Sequence, residues 1–413
     1  MRDLASAILG DNVMFGSETN PEGLVNIGTA ENYSMLDEVA NFIKLHDLGF
    51  KGVDFNYGEG PWGSTRLRKA MAKYINKHFH SYVPVEADDL LSASGCTSMF
   101  NMLGLTLGDP GDGILLSRPS YTAFPTDFGL MAKIKPVFVS SNGVDQFSPE
   151  VAHTYEDALE KAKKDGIRIR ALMLCNPHNP LGQCYPKDTI IALMRFCNEH
   201  QIHMLADEVY AQSVYETPNK AATQFVSILS FDSSEYIDPN YLHFLYGMSK
   251  DLACGGLRLG VLHTRNKELM RAMSSITQFH WAGMADERIA IMMLEDEQWI
   301  KKFLETSRQK LAASSRLVRQ LMDDAGIRYS HNSNAGFFLW VDLSPWLKEK
   351  DGEDGWKMEE VLTRKMLNNK VFILNGGAQA AEEPGFFRLV FSHDEKTLRK
   401  GFERLLKTLK EQE

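Results

Sequence analysis

Six short apolar runs through the middle of the chain restrict its fold more than any other feature. They are Gly113-Ile-Leu-Leu-Ser, Pro136-Val-Phe-Val-Ser, Arg170-Ala-Leu-Met-Leu-Cys, His203-Met-Leu-Ala, His243-Phe-Leu-Tyr and Leu259-Gly-Val-Leu-His. A strand with one wet face alternates apolar and polar residues, whereas these runs are apolar on both faces. Strands covered on both sides point to a largely parallel sheet, because crossover connections lay helices on each face. The intervening stretches supply such helices. Thr189-Ile-Ile-Ala-Leu-Met-Arg-Phe-Cys-Asn, for example, carries its apolar residues at helical spacing. From about residue 45 the pattern is that of a doubly wound α/β domain.

After about residue 290 the texture changes. A long helical region (Trp299 to Met322) precedes a strand at Gly336-Phe-Phe-Leu-Trp-Val-Asp, a helix from Met358 to Leu367 and a strand at Val371-Phe-Ile-Leu. The run Phe386-Phe-Arg-Leu-Val-Phe and an amphipathic helix from Glu395 to Lys410 complete a smaller α+β domain. At 413 residues the chain exceeds one ordinary core. The expected division is an arm and part of the small domain over 1–45, a large domain over 46–290, and a small domain over 291–413.

Charge and cysteines narrow the function classes. A formal net charge of −9 disfavours a nucleic-acid or anionic-membrane surface, though it leaves room for a local basic pocket. No apolar run reaches the roughly 18 residues of a membrane span. The cysteines at 96, 175, 184, 197 and 254 form no CxxC pair, which suits a reducing compartment, and the cytosol is the expected location. The opening MRDLASAILGDNVMFGSE reads as an arm of the mature protein, not a signal peptide. His78-Phe-His80 and His200-Gln-Ile-His203 lack companion ligands, so no metal is assigned.

Gly58-Glu-Gly60-Pro-Trp-Gly63 is literally GxGxxG, and a helix capped by Ser64 follows. A dinucleotide site would need a strand before it and an acid about 20 residues on, at the end of the next strand. Val53-Asp-Phe-Asn-Tyr is short and polar, and Glu86 leads into Ala-Asp-Asp. The motif is read as a turn before a helix.

The chemistry gathers elsewhere. Asn176-Pro-His-Asn179-Pro-Leu-Gly182, Asp207-Glu-Val-Tyr210 and Ser249-Lys250 each follow an expected strand, and Arg258 opens the next one. Open α/β sheets bind ligands at such strand ends. A pyridine aldehyde carrying a phosphate wants all of these groups. Lys250 would condense with the aldehyde, Asp207 would keep the ring nitrogen protonated, and Asn179 and Tyr210 would bond the ring hydroxyl. Arg258 would fork onto the phosphate.

Gly247-Met-Ser-Lys-Asp-Leu-Ala-Cys-Gly-Gly-Leu-Arg-Leu-Gly260 resembles the lysine signature of the class I/II, fold-type I pyridoxal-phosphate (PLP) aminotransferases. The departures are Cys254, in place of a larger aliphatic residue, and Gly247, where many members carry a phosphate-binding serine. Gly28-Thr-Ala-Glu31-Asn32 is similar to the 1-aminocyclopropane-1-carboxylate (ACC) synthase-like branch, near the substrate. The resemblance implies that Cys96 and Thr97 hold the phosphate at a helix start and that Tyr121 stacks on the ring. It implies that Ser249 joins the phosphate site, that Arg388 grips the substrate α-carboxylate beside Asn179, and that Tyr57 reaches a neighbouring subunit's cofactor. The expected assembly is therefore a homodimer acting on a small-molecule amino acid. Lys250, Asp207 and Tyr210 are the catalytic candidates. Aminotransfer is the first expectation. Elimination by a lyase, on S-adenosylmethionine or at a carbon–sulfur bond, is the alternative, with a catalytically inactive regulatory protein as a further one. His280, Trp281 and Trp62 are candidates for lining the substrate pocket.

Overall fold

The computed structural model describes residues 14–347 and 354–412. Most of the segment read above as an arm, residues 1–13, lies outside the described residues. A short strand, β1 (Val25–Asn26), comes first. Seven strands then form the main sheet: β2 (Leu90–Ser94), β3 (Gly113–Ser117), β4 (Lys135–Val139), β5 (Ile169–Cys175), β6 (His203–Asp207), β7 (Leu242–Gly247) and β8 (Leu259–Thr264). Their order is β2-β8-β7-β6-β5-β3-β4. The five from β7 to β4 run parallel, and β8 is antiparallel to both of its neighbours.

All six apolar runs are strands of this sheet, and the reason they lack alternation is visible. Successive residues feed opposite cores. Met204, Ala206, Phe244 and Tyr246 pack on one face with the helix Thr65–His78. Leu205, Leu245, Ile114 and Leu116 pack on the other with Met99, Phe100 and Leu103 of the helix Gly95–Leu107. Each buried leucine, isoleucine, methionine or phenylalanine among them contributes roughly 1.5–3 kcal/mol.

The C-terminal part holds β9 (Arg328–Tyr329), β10 (Phe338–Asp342), β11 (Val371–Phe372), β12 (Leu374–Asn375) and β13 (Phe386–Val390). Four of them form an antiparallel sheet in the order β12-β13-β10-β9. β11 pairs in parallel with β1, so the first described strand is sewn to the last third of the chain. The stretch Val371-Phe-Ile-Leu, read above as one strand, is thus divided between two sheets. A separate core forms here from Ile27, Phe337, Leu339, Phe387, Leu389 and Phe402.

The helix Glu297–Asp324 belongs to both halves. Ile300, Phe303 and Leu304 sit in the core of the main sheet, whereas Leu311, Val318 and Met322 sit in the second core. The helix before it, Met284–Glu295, spans the expected boundary at 290 and packs Ala290 and Leu294 into the first core.

Gly58, Gly60 and Gly63 lie in a loop with positive φ, preceded by a 3-10 turn (Gly52–Phe55) rather than a strand. Ser64 caps the following helix, its side chain accepting from the Leu67 N–H at 3.2 Å. No helix among the described residues is long and apolar enough to cross a membrane.

Candidate active site

β5, β6 and β7 lie side by side and parallel, so their carboxyl ends open at one edge. Cys175 is in register with Asp207, and Asp207 with Leu245. The segments leaving these ends carry Asn179, Tyr210 and Lys250.

Lys250 Nζ donates to the Ala30 carbonyl at 2.6 Å and lies 5.9 Å from the centre of the Tyr210 ring. Burial, then the nearby Arg388 cation, lower its pKa to about 8. A neutral, nucleophilic amine is therefore within reach close to neutral pH. Asp207 is 5% exposed and accepts from the Val209 N–H at 3.3 Å. Burial raises its carboxyl to about 7. A carboxylate so buried and so thinly bonded is costly until a cation completes it.

Aromatic rings wall the space. Tyr210 stands edge-on to Phe337 and Phe338, with ring centres 5.2 and 5.4 Å away. Burial holds its phenol well above the usual value. Tyr121 is half-buried, packed edge-on to Phe124 at 5.1 Å, and its phenol is pushed up to about 12 by burial.

Gly95, Cys96 and Thr97 form the first turn of the helix Gly95–Leu107, as expected of a helix start. The Cys96 thiol donates to the Tyr246 carbonyl at 3.4 Å, and burial raises its pKa so far that it is no thiolate nucleophile. Close approach explains the surrounding glycines. A Cβ on Gly95 would come within 2.5 Å of the Arg258 guanidinium, and one on Gly260 within 2.6 Å of the Cys96 nitrogen. A Cβ on Gly247 would meet Cys96 Sγ at 2.9 Å, so the thiol fills room that a larger residue at 247 would need. Arg258 precedes β8 in a left-handed conformation (φ +46°) instead of opening the strand, and its Nη1 donates to the Gly255 carbonyl at 3.1 Å. Thr97 is exposed and Ser249 half-buried at the rim of this cradle.

Arg388 lies in β13 and is 3% exposed. Its Nη1 donates to Asn179 Oδ1 and its Nη2 to the Gly28 carbonyl, both at 2.8 Å. Its Nε is buried with no partner, and the guanidinium sits 5.2 Å over the Phe338 ring. The groups that favour its charge are the Tyr210 and Tyr121 phenols, not a carboxylate.

Other expected residues take no part in these hydrogen bonds, although the Glu31 charge is near enough to act on Lys250. Glu31 is exposed, and its backbone carbonyl accepts from Ser392 Oγ. Asn32 is buried against Ser307 of the long helix at 3.0 Å. Tyr57 is 82% exposed, with its ring 5.7 Å from Trp281, and does not reach the pocket of its own chain. His280 and Trp62 act through their backbones, accepting from the Ser94 and Ser92 N–H groups. Asp127 was not anticipated. Its Oδ2 is buried without a partner, burial lifts its pKa to about 7, and its charge acts on Asp207 and Tyr121. Its setting, Pro-Thr-Asp-Phe, carries no sequence signal.

Pyridoxal phosphate suits this donor set. Asp207 is a buried carboxylate short of a cationic N–H, Lys250 is an amine for an aldehyde, and Tyr121 offers a ring face. The glycine cradle, a helix N-terminus and Arg258 together suit a phosphate.

Comparison with known proteins agrees. The family profile "Aminotransferase class I and II" matches residues 34–405. The 1-aminocyclopropane-1-carboxylate synthase-like protein 1 of Mus musculus is 30% identical over 407 residues, covering 96% of this chain and 78% of the relative. The 1-aminocyclopropane-1-carboxylate synthase 2 of Solanum lycopersicum is 30% identical over 396 residues, covering 93% and 79%. A Thermus thermophilus aspartate aminotransferase variant complexed with tryptophan superposes with a TM-score of 0.75 at 20% identity, covering 98% of this chain and 95% of that one, which shows the shared fold. The chain belongs to the PLP-dependent class I and II aminotransferase family, in its ACC synthase-like branch, with the fold-type I architecture.

Proposed function

We propose that this chain is an aminotransferase that acts at Cα of an α-amino acid, with Lys250 as both the cofactor's attachment point and the proton carrier. The observation that carries this reading is one pocket holding a depressed lysine amine and a buried arginine without a carboxylate partner. Arg388 takes the substrate α-carboxylate as its missing counter-ion, and Asn179 behind it fixes the fork. Held there, the substrate presents its Cα hydrogen to Lys250. Bound pyridoxal phosphate supplies an electron-accepting ring that makes this hydrogen acidic. Asp207 would hold the positive charge of the ring nitrogen, Tyr210 would offer its phenol to the ring hydroxyl, and the Lys250 amine would take the proton and return it.

The test is the absorption spectrum of the protein with pyridoxal phosphate, before and after single amino acids are added. Conversion to the pyridoxamine form, reversed by a 2-oxo acid, is the expected result. The name of the Solanum lycopersicum relative favours a second reading, elimination from S-adenosylmethionine. Unchanged absorbance while methylthioadenosine accumulates from S-adenosylmethionine would replace aminotransfer with that reading. A cofactor band that answers to no amino acid would point instead to an inactive member of the fold.

The exposed Tyr57 supports a homodimer with shared sites. Tyr57→Ala is expected to cost about 1.5–3 kcal/mol of cofactor binding, the worth of a charge-assisted hydrogen bond. Mixing Tyr57→Ala with Lys250→Ala chains should recover activity, because one site of each hybrid then has both residues intact. No recovery on subunit exchange, or an active monomer in size-exclusion chromatography, would exclude the shared site.

A further inference from the structure

Asp251 follows the proposed attachment lysine and has no part in the steps above, yet it is the most thoroughly bonded carboxylate beside the pocket. It is 1% exposed. Its Oδ1 accepts from Ser213 Oγ at 2.5 Å, and its Oδ2 from the Gln212 N–H at 2.8 Å and the Tyr246 hydroxyl at 3.3 Å. Gln212 and Ser213 lie in the turn that leaves Tyr210, since the Ser213 N–H donates to the Tyr210 carbonyl at 2.9 Å. One carboxylate therefore clamps the turn carrying Tyr210 to the turn carrying Lys250.

The clamp extends into a third segment. Gln212 Nε2 donates to the His78 carbonyl at 3.0 Å, and the Tyr246 and Tyr74 hydroxyls are 2.9 Å apart. Both Tyr74 and His78 belong to the helix Thr65–His78. Burial raises the Asp251 carboxyl to about 7, and the three donors work against that rise by favouring the ionised form, which only accepts; an asparagine in its place would point an N–H at one of them. The Asp251 side chain bonds Ser213, Gln212 and Tyr246 rather than the Lys250 amine, so its hold on Lys250 runs through the backbone that joins the two residues.

We propose that Asp251 is a positioning residue: by binding Ser213 and Gln212 it sets the turn from which Lys250 reaches the cofactor aldehyde beside Tyr210. This rests on the reading of Lys250 as the attachment point. In attachment the Lys250 nitrogen bonds to the aldehyde carbon, and the aldehyde oxygen leaves as water with both amine hydrogens. A lysine displaced by a fraction of an ångström loses rate in that step while the remaining grip on the cofactor is kept.

The test follows attachment by stopped-flow absorbance after pyridoxal phosphate is added to cofactor-free protein. Equilibrium binding of pyridoxamine phosphate, which has no aldehyde, is measured alongside. For Asp251→Asn, attachment is expected to slow about tenfold or more, with pyridoxamine phosphate affinity held within about twofold, because orientation governs the covalent step. Ser213→Ala, a milder change that decides the matter if Asp251→Asn does not fold, should slow attachment in the same sense. The double variant should be no slower than Asp251→Asn alone, as expected of groups acting as one unit. Unchanged attachment rates in folded variants, or equal losses of attachment and pyridoxamine phosphate binding, would overturn the proposal. Borohydride reduction and peptide mass analysis of the parent protein separate the two layers. Label on Lys250 with unaltered variant rates sinks the Asp251 role alone, whereas label on another residue sinks the Lys250 reading and the Asp251 role with it.

Discussion

Replacing Lys250 with alanine is expected to abolish covalent cofactor attachment and to reduce turnover by roughly 10²–10⁴-fold, the usual worth of a positioned general base. The residual protein should still bind the cofactor. Asp207, Tyr121 and Gly95 come from other segments, and Arg258 and Gly260 lie eight and ten residues beyond the lysine, so none of these contacts is made by the amine. The variant should therefore hold pyridoxal phosphate reversibly, lose it on dialysis and resist borohydride fixation. A small added amine such as methylamine should recover part of the proton transfer. Retained fixation and normal turnover in Lys250→Ala would move the chemistry to another residue.

Arg388→Ala should act on the substrate instead of the cofactor. Removing it deletes the cation proposed to hold the substrate carboxylate and leaves Asn179 Oδ1 and the Gly28 carbonyl without their donor. Truncating one partner of a buried, hydrogen-bonded charge contact costs about 2–5 kcal/mol. Steady-state kinetics should show kcat/KM for α-amino acids falling by roughly 30- to 4,000-fold, mostly through KM, at about 1.4 kcal/mol per factor of ten. Cofactor affinity should barely move. An unchanged KM with weakened cofactor binding would assign Arg388 to the cofactor.

The parts of this architecture that were legible in the sequence are those written as local chemistry. A strand buried on both faces must be apolar throughout, so β3 and β5 to β8 announce themselves; β4, the half-buried edge strand, carries a similar apolar run. Asp207 ends a strand, Lys250 and Asn179 follow strand ends, and the run around Lys250 resembles a family signature. β2 was missed because Ser92 and Ser94 interrupt an apolar run that pairs only with β8. Strand direction is not encoded in composition, so the antiparallel setting of β8 could not be foreseen. The split of Val371–Leu374 depends on two partners, β1 and β13, that are distant in sequence. Arg258 looked like the first residue of a strand, and only its left-handed backbone excludes it. Asp127 and Asp251 escaped notice for a common reason. A lone aspartate reads as surface until the burial of its neighbours is known.

The 28-residue helix Glu297–Asp324 rises about 42 Å at 1.5 Å per residue, with its two ends embedded in different cores. Melting either core strips the apolar face from half of one continuous rod. A half-rod stripped of its packing cannot persist alone, since isolated helices of that length are marginal in water. Loss of order in one lobe thus strips packing from a helix that the other lobe shares, so the two hydrophobic centres are coupled through one continuous rod.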